Sequence, residues 1–107
     1  MTKEREQLEL AAKACGIEGM WVESNQCIQL DTGPLRWVKY WNPRTDDGDC
    51  ARMEAQLDIN VSWDTECAEA AHRDIVEYAN FEDHDGDKSA ARRAASVAVA
   101  SEIGRTK

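Results

Sequence analysis

Two short acidic runs hold the residues best suited to chemistry: Asp46, Asp47 and Asp49 in TDDGD, and Asp83, Asp85 and Asp87 in DHDGD. Alternating carboxylates are Ca²⁺ ligands when a loop places them correctly. A Ca²⁺-binding loop of the helix–loop–helix type starting at Asp83 requires Gly at its sixth position and Glu at its twelfth. Those positions hold Lys88 and Ala94, Gly86 falls at the fourth, and only Ser89 adds a further oxygen. Asp46, Asp47 and Asp49 have the chemistry for Mg²⁺ binding or general acid–base work, but no Lys, His or Gly-rich phosphate loop stands beside them. A zinc site from Cys50, Cys67, His72 and His84 has one fitting interval, Cys67 to His72. The sequence therefore predicts no catalytic residue, no metal site and no cofactor. Helix capping explains both Asp runs, since each precedes a segment with helical periodicity.

Capping needs one acid at each site, and the chain supplies more. From Thr45 to Asp87 there are 14 acidic residues against the two bases Arg52 and Arg73, in a chain whose net charge is −8. This balance argues against nucleic acid and anionic membrane as direct partners and leaves basic protein surfaces, cations and small molecules. Duplex DNA carries about one charge per 1.7 Å of axis, so a dozen carboxylates on one side of a domain can imitate a short length of it. Asp46, Asp47, Asp49, Asp83, Asp85 and Asp87 are the predicted partner-binding acids. Trp41, the one of four tryptophans that abuts an acidic turn, is the predicted exposed anchor.

The elements that must position these residues can be read from periodicity and turn chemistry. Residues 3–15 predict a helix capped by Thr2 and stopped by Gly16, with Leu8, Ala11, Ala12 and Cys15 as its buried stripe. Residues 20–23, 27–30 and 35–41 predict a three-stranded antiparallel meander. Its third strand, apolar on both faces, calls for a sheet covered on both sides. Pro43 ends that strand at Trp41, and Thr45 is the expected N-cap of a helix over 46–57. Ile59, Val61 and Trp63 alternate as a half-buried strand. Residues 64–80 admit one helix, through Cys67, Ala71, Ile75 and Tyr78, or a hairpin in which 74–78 pairs with 59–63; the hairpin is favoured. Residues 81–87 predict a polar loop. Asp85 or Asp87 then caps a helix running to Ile103, with Gly104 as its stop and 105–107 as a frayed tail. The expected architecture is α/β: a layered helix–sheet–helix sandwich, three helices around a mainly antiparallel sheet of four or five strands.

At 107 residues this is one domain. No apolar run approaches the roughly 20 residues that span a bilayer, and the N-terminus lacks the apolar core of an export signal. The four cysteines, without a CxxC pair, are expected to be reduced thiols in a cytoplasm.

The segment WNPRTDDGDCAR at 41–52 resembles one found in small phage and prophage proteins, similar to the phage ABA-sandwich type. LELAAKACGI at 8–17 and AARRAASVAVASEIG at 90–104 belong to the same resemblance, while residues 58–84 lie outside it and Cys50 replaces an expected Ala. The resemblance implies a phage origin and helix–sheet–helix layering, and transfers no catalytic residue. With the charge layout, it leads to the expectation of a small acidic phage accessory protein, not an enzyme. Such a protein would bind a host protein with a basic groove in the cytoplasm of the bacterial host cell, as an anti-CRISPR-like inhibitor of a nucleic-acid-handling defence. The alternatives are a small metal-binding protein or enzyme using the Asp clusters, or a structural phage protein.

Overall fold

The computed structural model describes residues 3–30 and 40–106. The elements run α1 (Lys3–Ala14), β1 (Gly19–Val22), β2 (Cys27–Leu30), β3 (Tyr40–Trp41), α2 (Asp47–Leu57), β4 (Asn60–Trp63), β5 (Cys67–His72), β6 (Ile75–Asn80) and α3 (Lys88–Arg105), with a single 3₁₀ turn at Glu82–His84 before α3. The chain is α/β, but the strands form two separate antiparallel sheets of three, ordered β1-β2-β3 and β4-β5-β6. The expected single sheet of four or five strands is thereby corrected.

The first sheet is the predicted meander, with Trp21 opposite Ile28 and Ile28 opposite Trp41. The expected strand residues 35–39 and the Thr2 cap lie outside the described residues. The second sheet contains the favoured hairpin with different partners. Residues 75–80 pair with 67–72, which in turn pair with 60–63, so β5 lies between the two strands expected to be neighbours. The segment CAEAAH is a strand despite its alanines because Ala68 and Ala70 point at α3 and are fully buried there. Tertiary packing overrides a weak intrinsic preference.

α3 is the centre of the molecule. It packs against α1, α2, β5, β6 and the 3₁₀ turn. Its buried residues include Ala91, Ala95, Ser96, Val97, Val99, Ala100, Ser101, Ile103 and Gly104, which is most of its circumference and wider than the predicted stripe. A helix buried on several sides has no single apolar face. The second sheet is covered on one face only: Val76 and Tyr78, which point away from α3, are exposed. The expectation of helices on both faces of one sheet fails for the second sheet, because α1 packs chiefly on α3 and touches the first sheet, mainly at β2.

Helix ends explain further departures. α1 closes as expected. Gly16 sits at φ 68°, the Ile17 amide donates to Ala12 O at 2.9 Å and the Gly16 amide to Lys13 O at 3.1 Å. α2 is capped by Asp46, not Thr45, the Asp46 carboxylate accepting from the Asp49 amide at 2.9 Å. A type of turn formed by Asn42, Pro43 and Arg44, with the Asp46 amide donating to Asn42 O, places Thr45 one residue too early. Of the two expected caps, Asp85 and Asp87, it is Asp87 that caps α3, accepting from the Ala90 amide at 3.0 Å, while Asp85 closes the 3₁₀ turn. Phe81, expected in a polar loop, is buried with Ala68 and Ala91.

Gly104 does not stop α3; the helix passes through it to Arg105. A Cβ at Gly104 would lie 2.0 Å from Leu10 O and 2.7 Å from Leu10 C, so α1 and α3 meet backbone to backbone. The segment beyond is also held. Arg105 pairs with Glu6 at 2.8 Å, and the Thr106 hydroxyl donates to Ile103 O at 2.8 Å. Gly104→Ala should therefore destabilise the fold by about 2 kcal/mol or more, overpacking outweighing a helix-propensity gain of roughly 1 kcal/mol. Urea denaturation of the two proteins measures this; a stabilised variant would contradict the close contact.

Candidate functional site

The turn after β3 is built by its own acids. Asp49 accepts from the Asn42 amide at 3.0 Å and from Arg52 at 2.7 Å, Asp46 caps α2, and Asp47 pairs with Arg93 of α3 at 2.6 Å. Arg93 also donates to Arg44 O at 2.8 Å, tying the turn to α3. Trp41 is 5% exposed and belongs to the main core, which corrects its expected exposure. It is buried because Ile28 opposes it across the sheet and the turn folds back over the strand end.

The second acidic run has a different setting. Asp83 lies in the 3₁₀ turn, Asp85 ends it at φ 56°, and Asp87 caps α3; all three are exposed. Asp83 and Asp85 make no side-chain hydrogen bond or ion pair among the described residues. Asp64 and Glu66, in the β4–β5 turn, are at the same end of the second sheet, because β4 ends, β5 begins and β6 ends there. That end also carries Trp63, which is 54% exposed and whose ring centroid is 6.2 Å from that of Phe81. Trp63 has the exposure expected of Trp41. Its alternation with Ile59 and Val61 in sequence gave it an inward direction, but β4 is an edge strand and its end extends past α3's cover.

Residues 58–87 together hold ten acids, Asp58, Asp64, Glu66, Glu69, Asp74, Glu77, Glu82, Asp83, Asp85 and Asp87, and the single base Arg73. Among the described residues the ion pairs engage Glu6, Glu9, Asp47, Asp49, Glu54 and Glu102, and none of those ten. The excess charge is therefore concentrated on the second sheet and its turns.

One charged group escapes a reading based on runs. Glu54, on α2, is 8% exposed at the α2–α3 contact. Arg92 grips its carboxylate through two nitrogens, Nε to Oε2 at 3.1 Å and Nη2 to Oε1. The Ser96 hydroxyl and the Cys50 thiol both donate to Oε2, the thiol at 3.6 Å. Burial, and then the negative charge of Glu54, push the Cys50 thiol up to about 12 from the ordinary 9.0. Hydrogen bonding to Glu54 raises Arg92 in turn. Glu54 stands one turn after Cys50 and one residue after Met53, both on α2's buried stripe; that placement is the signal that could have marked it.

None of the four cysteines forms a disulfide; Cys15, Cys27 and Cys50 are buried and Cys67 is half-buried. Among the described residues no three of His, Cys, Asp and Glu meet as a group that could hold a metal ion. His72 and His84 are both half-buried and lie apart, His72 beside Asp58 O at 3.4 Å and His84 in the 3₁₀ turn. No helix among the described residues is long and apolar enough to cross a membrane. The chain matches no family model, no curated protein and no solved structure.

Two measurements follow from the buried cluster. Arg92→Ala leaves a buried carboxylate without its cation and should cost roughly 3–5 kcal/mol, whereas Arg52→Ala, whose side chain is 73% exposed, should cost less than about 1 kcal/mol; denaturation midpoints of the two variants compare them. The second concerns Cys50. A thiol protonated in the fold up to about pH 12, but ionising near 9.0 when unfolded, stabilises the fold below pH 9 and loses that contribution as pH rises towards 12. The alkaline decline of stability should be shallower in Cys50→Ala than in the unaltered protein.

Proposed function

We propose that the protein is a binding protein rather than an enzyme, and that it presents the acidic end of the second sheet to a basic groove of another protein. The observation that carries this reading is the group of six acids at that end, Asp64, Glu66, Glu82, Asp83, Asp85 and Asp87, none in an ion pair among the described residues, beside the exposed Trp63. Outside residues 58–87 six acids, Glu6, Glu9, Asp47, Asp49, Glu54 and Glu102, each have an arginine, while Glu4, Glu18, Glu23 and Asp46 have none among the described residues. Unpaired like charges on one small surface repel each other, and a cationic partner relieves that repulsion on binding. Trp63 supplies the apolar anchor that such surfaces need at their centre. Of the six acids first singled out, Asp83, Asp85 and Asp87 belong to this surface. Asp46, Asp47 and Asp49 act chiefly in holding α2 and α3.

The partner class follows from the charge. A groove lined by Lys and Arg is the usual track of a nucleic acid, and a dense carboxylate surface can occupy it instead. Together with the resemblance to phage proteins, this favours an inhibitor of a host nucleic-acid-handling defence, anti-CRISPR-like in logic, working in the bacterial cytoplasm.

The test is affinity purification from host cells with the unaltered chain and with the triple variant Asp64→Lys, Asp83→Lys, Asp85→Lys, washed at two salt concentrations. The unaltered chain should retain a basic protein that elutes as salt rises. The triple variant, folded by circular dichroism, should lose it. Equal retention by both would reduce these acids to solubilising charge.

A further inference from the structure

β6 is an edge strand, and among the described residues no strand pairs with its outer side. In the two-residue hairpin Arg73–Asp74, His72 pairs with Ile75, so Ile75, Glu77 and Ala79 turn their backbone groups to β5. The Phe81 amide, donating to Glu66 O at 2.9 Å, keeps the same alternation. Val76, Tyr78 and Asn80 therefore point their N–H and C=O groups outward, and none of these groups has a hydrogen-bond partner among the described residues. The side chains of Val76 and Tyr78 are 39% and 65% exposed. Natural edges are blunted by short strands, prolines, bulges or covering loops. β6 has six residues, no proline and an unbroken register.

We propose that this edge accepts an extended segment of a partner protein as a fourth strand, and that the segment is basic. The inference specifies how the acidic surface described above holds its partner, and rests on that reading. Strand addition supplies affinity through main-chain hydrogen bonds and specificity through alternate side chains. Residues of the added strand on the Tyr78 side meet the exposed rings and methyls of Tyr78 and Val76. Residues on the opposite side meet Glu77 and a cleft of about 300 Å³ beside β6, where Glu4 and Asp83 supply carboxylates, His84 an imidazole, and Arg44, hydrogen-bonded to Gln7 at 3.1 Å, a guanidinium. A segment alternating apolar and Lys/Arg residues matches both sides. A second copy of this chain is the obvious rival for a free edge, but each copy carries a net charge of −8 and would bring Glu77 and Asp74 against the same acids.

The probe is a ten-residue peptide of alternating lysine and valine, with two controls: a scrambled peptide of the same composition, and the alternating peptide methylated on every backbone nitrogen. Binding is followed by amide hydrogen exchange of the full chain. The alternating peptide should protect the Val76, Tyr78 and Asn80 amides and bind more weakly as salt rises. Backbone methylation should weaken it roughly tenfold or more, the worth of one or two lost hydrogen bonds. Tyr78→Pro, which removes one outward N–H without touching the β5 ladder, should weaken it similarly, and Tyr78→Ser, which strips only the side chain, should weaken it less. Salt-sensitive binding that leaves those three amides unprotected, or that survives methylation, overturns strand addition while the acidic-surface reading stands. No binding by either the alternating or the scrambled peptide overturns both. Dimerisation of the free chain with the same amides protected overturns the choice of a basic segment.

Discussion

At Gly104 the chain gives up a side chain so that two helices can touch along their backbones. A Cβ there would fall within 2.0 Å of the Leu10 carbonyl oxygen, and that contact sets the depth at which α3 sits. From that depth α3 reaches both α1 and the inner faces of β5 and β6. Ala91, Ala95 and Ala100 on α3 answer Ala11, Ala12 and Ala14 on α1 and Ala68 and Ala70 on β5 with small side chains throughout. Small residues contribute little area each. Close approach of many atoms compensates, since dispersion depends on near contact. The fold is thus held by proximity more than by bulk, and an added methyl at the centre disturbs it more than a lost one.

The second constraint is electrostatic. α2 is attached to α3 by a buried carboxylate and an arginine, with a serine and a cysteine completing the carboxylate's hydrogen bonds. Such a pair adds modest net stability, because both charges leave water, but it tolerates only one relative placement of the helices. No buried polar side-chain atom among the described residues lacks a partner. The same α2–α3 contact draws in Asp47 through Arg93. Internal pairing therefore uses up the acids of α2's first turns and leaves those of the second sheet to solvent.

Local signals in the sequence located most elements. Gly16, the Asp87 cap, the first two strands of the meander and the span of β4 all depend on neighbours a few residues away, and all stand where local signals placed them. What could not be read depends on distant partners. β5 is alanine-rich with helical spacing, and only the presence of α3 over Ala68 and Ala70 makes it a strand. Gly104 carries the same symbol whether it ends a helix or lets one pass a neighbour; Leu10, 94 positions earlier in the numbering, decides. Trp41 and Trp63 exchanged their expected exposures because burial at a strand end depends on what folds over it. In sequence Glu54 reads as one more surface acid, and only Arg92, 38 positions later, accounts for its burial. The acidic character of 58–87 is legible from composition; that its acids form no ion pair among the described residues is not, because it depends on Arg92, Arg93 and Arg105 of α3 turning to Glu54, Asp47 and Glu6 instead.

α3 follows in the chain every element it packs against, which gives the order of synthesis a consequence. While the ribosome is still delivering residues 88–105, α1 has no backbone to meet, Glu54 has no arginine, and the alanine face of β5 has no cover. The earlier segments must wait, at synthesis rates of about 5–20 residues per second, as a collection of hairpins and helices without a common interior. Their heavy negative charge acts in this interval, since nascent chains of like sign repel one another until α3 emerges to gather them.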